Sequence, residues 1–409
     1  MKSTPLSRAL SAGALGLGLL TAVTSPSYAA PAADGPRPAA TRPATAPGPA
    51  SEAAAVELMR RQKPLLDAAH QLRETGAASL AGFSGITVDP ERSTLRLYWD
   101  GGTPPASVQR TVQRLSRPSV RVEVRRAPAP APGKAPAASV ADGSPGGPVV
   151  DPGAGTADPA PRPVGRVNDR SPVSGGALII TQAETCTTGF GVVGAATGRK
   201  QLLTAGHCGA VGSPWFNGDG EFLGNASARH PEADALLIDV NSSDKVWHGA
   251  VTENLDGIDD KARTVTGART PEVGQYLCTS GALSGTHCGL RVTRTGVVLS
   301  IGGTDVPDQV EAEQVAHTAA AGNGDSGGPV YSATTGSGPV TAHGMITAYD
   351  RKETAPCSGA KTDAVRSCSW RVYFTDITAV LKATGTRLSD PACDRHHEGH
   401  PARPARNVT

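Results

Sequence analysis

An excess of either charge is missing from this 409-residue chain: 39 Lys and Arg stand against 37 Asp and Glu, a formal net charge of +2. A nucleic-acid binder would show a basic excess or stripe, so that class is excluded, and no polyanionic partner is expected. No apolar run reaches the roughly 18 residues of a membrane span. Gly is abundant, at 49 residues, but has no three-residue period, which excludes a collagen-like chain. Aromatic residues make up only 4%. Even so, short strand-like apolar runs exclude a wholly disordered chain. Cysteine is absent from the first 185 residues, and none of the seven sits at a Cys-x-x-Cys spacing. That argues against a zinc site or redox motif.

The cysteines that are present fall in the second half. Six form local pairs, Cys186 with Cys208, Cys278 with Cys288 and Cys357 with Cys368, and Cys393 is left over. Three disulfides in an oxidising compartment is the simple reading. Residues 1–29 agree with export. Lys2 and Arg8 precede a short apolar stretch at 9–23, and Ser27-Tyr28-Ala29 offers small residues for cleavage after Ala29. No Cys stands there to take a lipid anchor.

Composition divides the rest. Residues 30–50 are an aperiodic Ala/Pro/Gly stretch. Residues 51–125 form a small α+β unit. Ala55, Leu58, Met59, Leu65, Leu66, Ala69 and Leu72 recur at helical steps before Gly76, and a second helix is expected at 107–115. Strands are expected near 85–90, 94–99 and 120–124. Residues 126–176 hold 11 of the 34 prolines and read as a linker, with Arg162, Arg166 and Arg170 as exposed proteolysis sites. From 177 to 388 many short apolar runs alternate with turn residues, which argues an all-β barrel or sandwich with a closing helix at 377–382. Residues 389–409 form a polar tail. Its His396, His397 and His400 have no fixed scaffold, so no metal site is expected.

Three strings carry chemistry. In Gly324-Asp325-Ser326-Gly327-Gly328-Pro329 the glycines let the backbone approach a substrate and aim two N–H groups at one point, as an oxyanion requires. In Thr204-Ala205-Gly206-His207-Cys208 a His ends an apolar strand beside a Cys, which would hold it as a rigid base. Asp234, directly before the apolar residues 235–238, can orient that His, with Asp239 as competitor.

Residues 177–388, on these three motifs in this order, resemble a chymotrypsin-fold serine protease of the bacterial streptogrisin and alpha-lytic type. The resemblance implies a mainly β domain of two antiparallel six-stranded barrels with the active site between them. It implies Ser326 as nucleophile, His207 as base and then acid, Asp234 as orienting carboxylate, and the N–H groups of Gly324 and Ser326 as the oxyanion hole. Residues 51–125 resemble, more weakly, the pro-region of such enzymes, which assists folding and blocks the site until removed. Cys186–Cys208 would bracket the His, and Cys278–Cys288 would staple a hairpin. Gly322 stands where the family has a Cys before the nucleophile. Thr279 stands where the family has an Arg that pairs with the Asp before the nucleophile, so some other base must pair with Asp325 or the oxyanion loop forms differently.

Specificity follows from the same comparison. Ala320 replaces the Asp of trypsin-like pockets. Thr347, Ala348 and Tyr349 would form the pocket wall, with Tyr349 narrowing the entrance. Arg371 falls where a pocket-lining residue is expected, which suggests acidic P1 residues unless Arg371 pairs with a protein carboxylate. The expected protein is a secreted, monomeric serine endopeptidase acting on proteins or peptides, with no cofactor. The alternatives are an inactive secreted binding protein of the same fold and a related ester hydrolase.

Overall fold

The computed structural model describes residues 52–77, 80–100, 102–126, 165–249, 261–333, 338–360 and 366–389. The expected leader at 1–29, the 30–50 stretch, most of the proline-rich segment, and Cys393, His396, His397 and His400 lie outside the described residues.

Helix α1 (Glu52–Glu74) buries Met59, Leu65, Leu66, Ala69 and Leu72 along one face. It stops just before Gly76, whose φ of 76° is a left-handed value that glycine adopts without strain. Strands Phe83–Asp89 and Thr94–Trp99 pair antiparallel, with Val88 opposite Leu95. Asp89 caps the intervening turn by accepting from Arg92 N at 3.1 Å. Helix α2 (Ala106–Leu115) then returns the chain to strand Arg121–Arg125, which runs parallel to Thr94–Trp99. One core of Leu65, Leu72, Ile86, Leu95, Leu97 and Trp99 holds these elements together.

The main body is mainly β. Six strands close into a ring: Tyr276–Gly281, Gly285–Ile301, Thr304–Gln314, Arg371–Asp376, Val340–Tyr349 and Pro329–Ala333, the last pairing back to the first. The sheet of the ring continues through Lys261–Ala268, Ser242–His248 and Val173–Gly175 to nine strands, and the other sheet also departs from the expected six. It has eight, in the order Thr386–Leu388, Gly191–Gly194, Lys200–Ala205, Ala235–Asp239, Phe222–His230, Pro214–Phe216, Leu178–Ile180 and Thr185–Thr187. The added edge comes from the strand after helix α3 (Ile377–Thr384), which lies against Gly191–Gly194. Asp376 caps α3, accepting from Thr378 N at 2.8 Å, and Gly385 with φ 63° ends it. Disulfides join Cys186–Cys208, Cys278–Cys288 and Cys357–Cys368.

Residues 165–176 correct the linker reading. Val173–Gly175 is a strand parallel to Ser242–His248, and Arg166 is only 2% exposed. A cation is buried there because it has partners: Ser280 Oγ at 2.7 Å, Thr286 Oγ1 at 2.8 Å and the Gly176 carbonyl at 3.2 Å. Composition suggested an open segment, but these long-range polar contacts fix its end in the fold.

The unit built on α1 packs against the closed ring. The buried Gln62 amide spans Tyr276, donating to its carbonyl and accepting from its N–H, both at 2.7 Å. Arg73 pairs with Glu272 at 2.8 Å, and Val88 N donates to Val273 O at 2.9 Å. Gly274 permits that approach, since a Cβ there would lie 2.0 Å from the Val88 carbonyl.

Candidate active site

Strand register brings His207 and Asp234 together. Ala205 pairs with Ala235 across two antiparallel strands, so the residues just beyond those ends face each other. His207 sits in the 3-10 turn Gly206–Cys208, and Asp234 follows the turn Pro231–Ala233. The His207 backbone N–H donates to Asp234 Oδ1 at 2.8 Å, and Nδ1 lies 2.9 Å from Oδ2. Asp234 is 3% exposed and has a left-handed φ of 44°. A non-glycine residue in that region is uncommon, and short carboxylates tolerate it best. Arg229 Nε pins the turn by donating to the Gly206 carbonyl at 2.6 Å. Asp239 sits further along the strand and is engaged by Gln201 at 2.8 Å and Arg199 at 3.0 Å.

Ser326 lies in the 322–328 loop, which is hydrogen-bonded to the strand Thr185–Thr187 and packs through Gly327 on the end of Lys200–Ala205. The Ser326 carbonyl accepts from Thr187 N at 2.8 Å, and Thr187 Oγ1 donates to the Gly324 carbonyl at 2.8 Å. Gly327, with φ 86°, fits only without a side chain: a Cβ would lie 2.2 Å from Thr204 Oγ1 and 2.8 Å from Ala205 N. From the other barrel, Gly327 N donates to Ile346 O at 2.7 Å and Ile346 N to Gly328 O at 2.8 Å. The loop is thus pinned from both sheets. Among the described residues, neither Gly324 N–H nor Ser326 N–H donates to a protein carbonyl, so the pair is available to an outside acceptor.

Asp325, fully buried, sets the form of this loop. Its carboxylate accepts from Gly322 N at 2.8 Å, Leu283 N at 3.1 Å and Ser284 N at 3.0 Å, and from the Ser284 hydroxyl. The cation that pairs with it is Arg366, at 3.5 Å and with a side chain 4% exposed. The sequence reading missed this residue; its position inside the Cys357–Cys368 loop was the available signal. Gly322 must be glycine because Cys368 Sγ lies 2.4 Å from where its Cβ would be. The disulfide therefore covers the position of the missing Cys.

The residues expected to form the pocket wall are all buried. Ala320 N donates to Ser369 O at 2.7 Å, and Thr279 Oγ1 donates to Ala320 O at 2.7 Å. The Thr347 hydroxyl is 2.9 Å from that of Thr375, and Ala348 packs with Val297 and Tyr373. Tyr349 donates its hydroxyl to Asn323 at 2.9 Å, beside the 322–328 loop. Burial raises its pKa. Of the alternatives left open for Arg371, the structure has the pairing with protein carboxylates. Arg371 pairs with Glu313 at 2.9 Å, Glu353 at 3.0 Å and Asp350 at 3.2 Å, so its charge is compensated within the chain. His317, which had no role in the sequence reading, stacks on Trp370 with ring centroids 4.1 Å apart.

Two titrations near the site are displaced. Burial raises the Glu184 carboxyl, against the opposing pull of His207. His287 falls to about 4, mainly through burial, with Arg166 and Arg366 adding to the effect.

No family model matches the chain. It is similar to Serine protease 2 of Streptomyces fradiae, 31% identical over 170 residues that cover 41% of this chain and 91% of that protein. It is also similar to Streptogrisin-C of Streptomyces griseus, 28% identical over 220 residues, which cover 52% of this chain but only 40% of that protein. Among solved structures, Nocardiopsis protease matches at 22% identity and a TM-score of 0.38, over 53% of this chain and 98% of that one. With 91% of Serine protease 2 matched at 31% identity, and with the β architecture above, the chain belongs to the bacterial chymotrypsin-fold serine proteases and is a serine-type endopeptidase.

Proposed function

We propose that Ser326, His207 and Asp234 act as a catalytic triad on peptide bonds of proteins. The observation that carries this reading is the His207–Asp234 pair, 2.9 Å apart and buried, at the end of the strand that Gly327 of the Ser326 loop packs against. Asp234 accepts from Nδ1–H, which leaves Nε2 as the basic nitrogen. His207 takes the Ser326 proton as Oγ attacks the carbonyl carbon. The carbonyl electron pair moves to oxygen, and the N–H groups of Gly324 and Ser326 receive that oxyanion. The intermediate collapses, the amine leaves with the proton from His207, and an acyl-enzyme remains. Water, deprotonated by His207, then releases the acid.

Residues 1–29 direct secretion in this reading, and 51–125 form a pro-region that assists folding and blocks the site until removed. The mature enzyme is a monomer and uses no cofactor. Charge does not select the P1 residue: Ala320 supplies no carboxylate, and Arg371 already has three acidic partners. A peptide library digested by the secreted protein, with Ser326→Ala as control, tests both parts. Cleavage at uncharged P1 residues, absent in the variant, is expected. Equal cleavage by the variant would refute the triad, and a dominant Glu or Lys P1 would refute the specificity reading.

A further inference from the structure

The hairpin turn that holds Asp325 is itself gripped from two sides by buried arginines. On one side, Arg366 Nη2 donates to Ser284 Oγ at 2.7 Å, and Nη1 to the Leu283 carbonyl at 3.2 Å. The same side chain reaches Asp325 Oδ2, the Asn323 carbonyl and the Ser358 carbonyl. On the other side, Arg166 donates to Ser280 Oγ, the Gly281 carbonyl and Thr286 Oγ1. Gly281 lies directly on the carboxylate, since a Cβ there would fall 2.2 Å from Asp325 Oδ1. The strap that carries Arg166 is anchored in turn. Its own carbonyl accepts from Leu178 N at 2.6 Å, the Val167 carbonyl accepts from Gly218 N at 2.6 Å, and Asp169 accepts from Ser174 N at 2.7 Å.

We infer that Arg366 and Arg166 are positioning residues for the oxyanion loop. They act through the 280–286 turn on Asp325, and Asp325 fixes the two N–H groups on either side of it. A guanidinium reaches several acceptors at fixed angles, which an ammonium does not. His287, on the same turn, stays neutral because burial depresses it, so it adds no competing charge near neutral pH. One consequence concerns maturation. If the segment before the catalytic body is removed, the cut falls on the N-terminal side of Arg166, because a cut after it would leave Ser280, Gly281 and Thr286 without their buried donor.

This inference rests on the triad reading, so its test separates the two. The secreted protein in its processed form is mixed with p-nitrophenyl acetate, whose acetyl group passes to Ser326 Oγ while p-nitrophenolate leaves. In Arg366→Ala and Arg166→Ala the acylation rate is expected to fall about 10- to 100-fold, less than the roughly 100- to 1,000-fold of an oxyanion donor removed outright. The ester dissociation constant, read from the concentration dependence of the burst rate, is expected to stay within about threefold, since ester binding is untouched. Arg366→Lys should retain part of the rate, and added guanidinium chloride at millimolar concentration should restore part of it to the Ala variants. Unchanged acylation in both folded variants would overturn the inference. If wild type gives no p-nitrophenolate burst, the triad reading fails instead. The clamp is then judged by amide exchange at Leu283, Ser284 and Gly322, which must be faster in the variants. If the variants do not fold, the intact mass of the processed wild-type protein decides: a chain beginning at or before Arg166 supports the clamp, and one beginning after it refutes it.

Discussion

Asp234 and Arg371 are both carboxylate–cation arrangements, yet they serve different ends. Among the described residues Asp234 pairs with His207 and with no arginine, so its charge is directed at an imidazole. Asp234→Asn should preserve the fold and lower kcat by orders of magnitude, because the amide favours the wrong imidazole tautomer; progress curves on a cleavable peptide check this. Arg371 has three carboxylates, so Arg371→Met leaves them clustered without a cation. A loss of about 2–4 kcal/mol is expected for breaking such a mostly buried network. Thermal unfolding reads that loss, and P1 preference should not move. The histidines supply a pH signature. Burial holds His343 and His248 at about 3, and His287 at about 4. Unfolded, each titrates near 6.5. The stability they allow is thus present above about pH 6.5 and lost as pH falls toward the folded values. His343→Gln should flatten the fall in stability at pH 5 by about 1.4 kcal/mol per pH unit. Equal slopes in denaturant titrations of the variant and wild type would contradict that sign. At this scale the sequence was most legible where chemistry sat in one short string. Arg366 and Arg166 were not legible, because their partners lie 41 and 114 residues away.

Among elements, the strand Lys200–Ala205 and its turn matter most. Three constraints meet there: the pairing with Ala235–Asp239, the Cys186–Cys208 bond, and Arg229 on the Gly206 carbonyl. Replacing Cys186 and Cys208 by Ala should cost about 3 kcal/mol on the loop-entropy scale. Activity should fall further than stability alone explains, since the turn that holds His207 loosens. Activity per folded molecule, measured below the unfolding transition, checks this. Helices α1, α2 and α3 were readable from apolar spacing and Gly76. The strand Thr386–Leu388 was not, because three residues have no period to detect and their place is set by an edge nearly 200 residues earlier in the chain.

Across the whole molecule, the short apolar runs announced a β body, but ring closure depends on partners far apart in sequence. Pro329–Ala333 pairs with its neighbour Val340–Tyr349 but closes the ring through Tyr276–Gly281, a pairing such as Cys278 with Tyr331 that no local pattern encodes. The α1 unit adds a second long-range layer. Gln62 satisfies both backbone groups of Tyr276, and each such buried group left unpaired costs about 1–3 kcal/mol. Gln62→Ala in a Ser326→Ala background, which cannot process itself, should therefore lower the unfolding midpoint of the full chain.

The central claim is that Ser326 is an activated nucleophile. Fluorophosphonate labelling of the secreted protein, with the modified residue located by mass spectrometry, tests it most directly. A single adduct on Ser326 is expected, absent in both Ser326→Ala and His207→Ala. A folded protein that takes no label, or takes it at another residue, would contradict it.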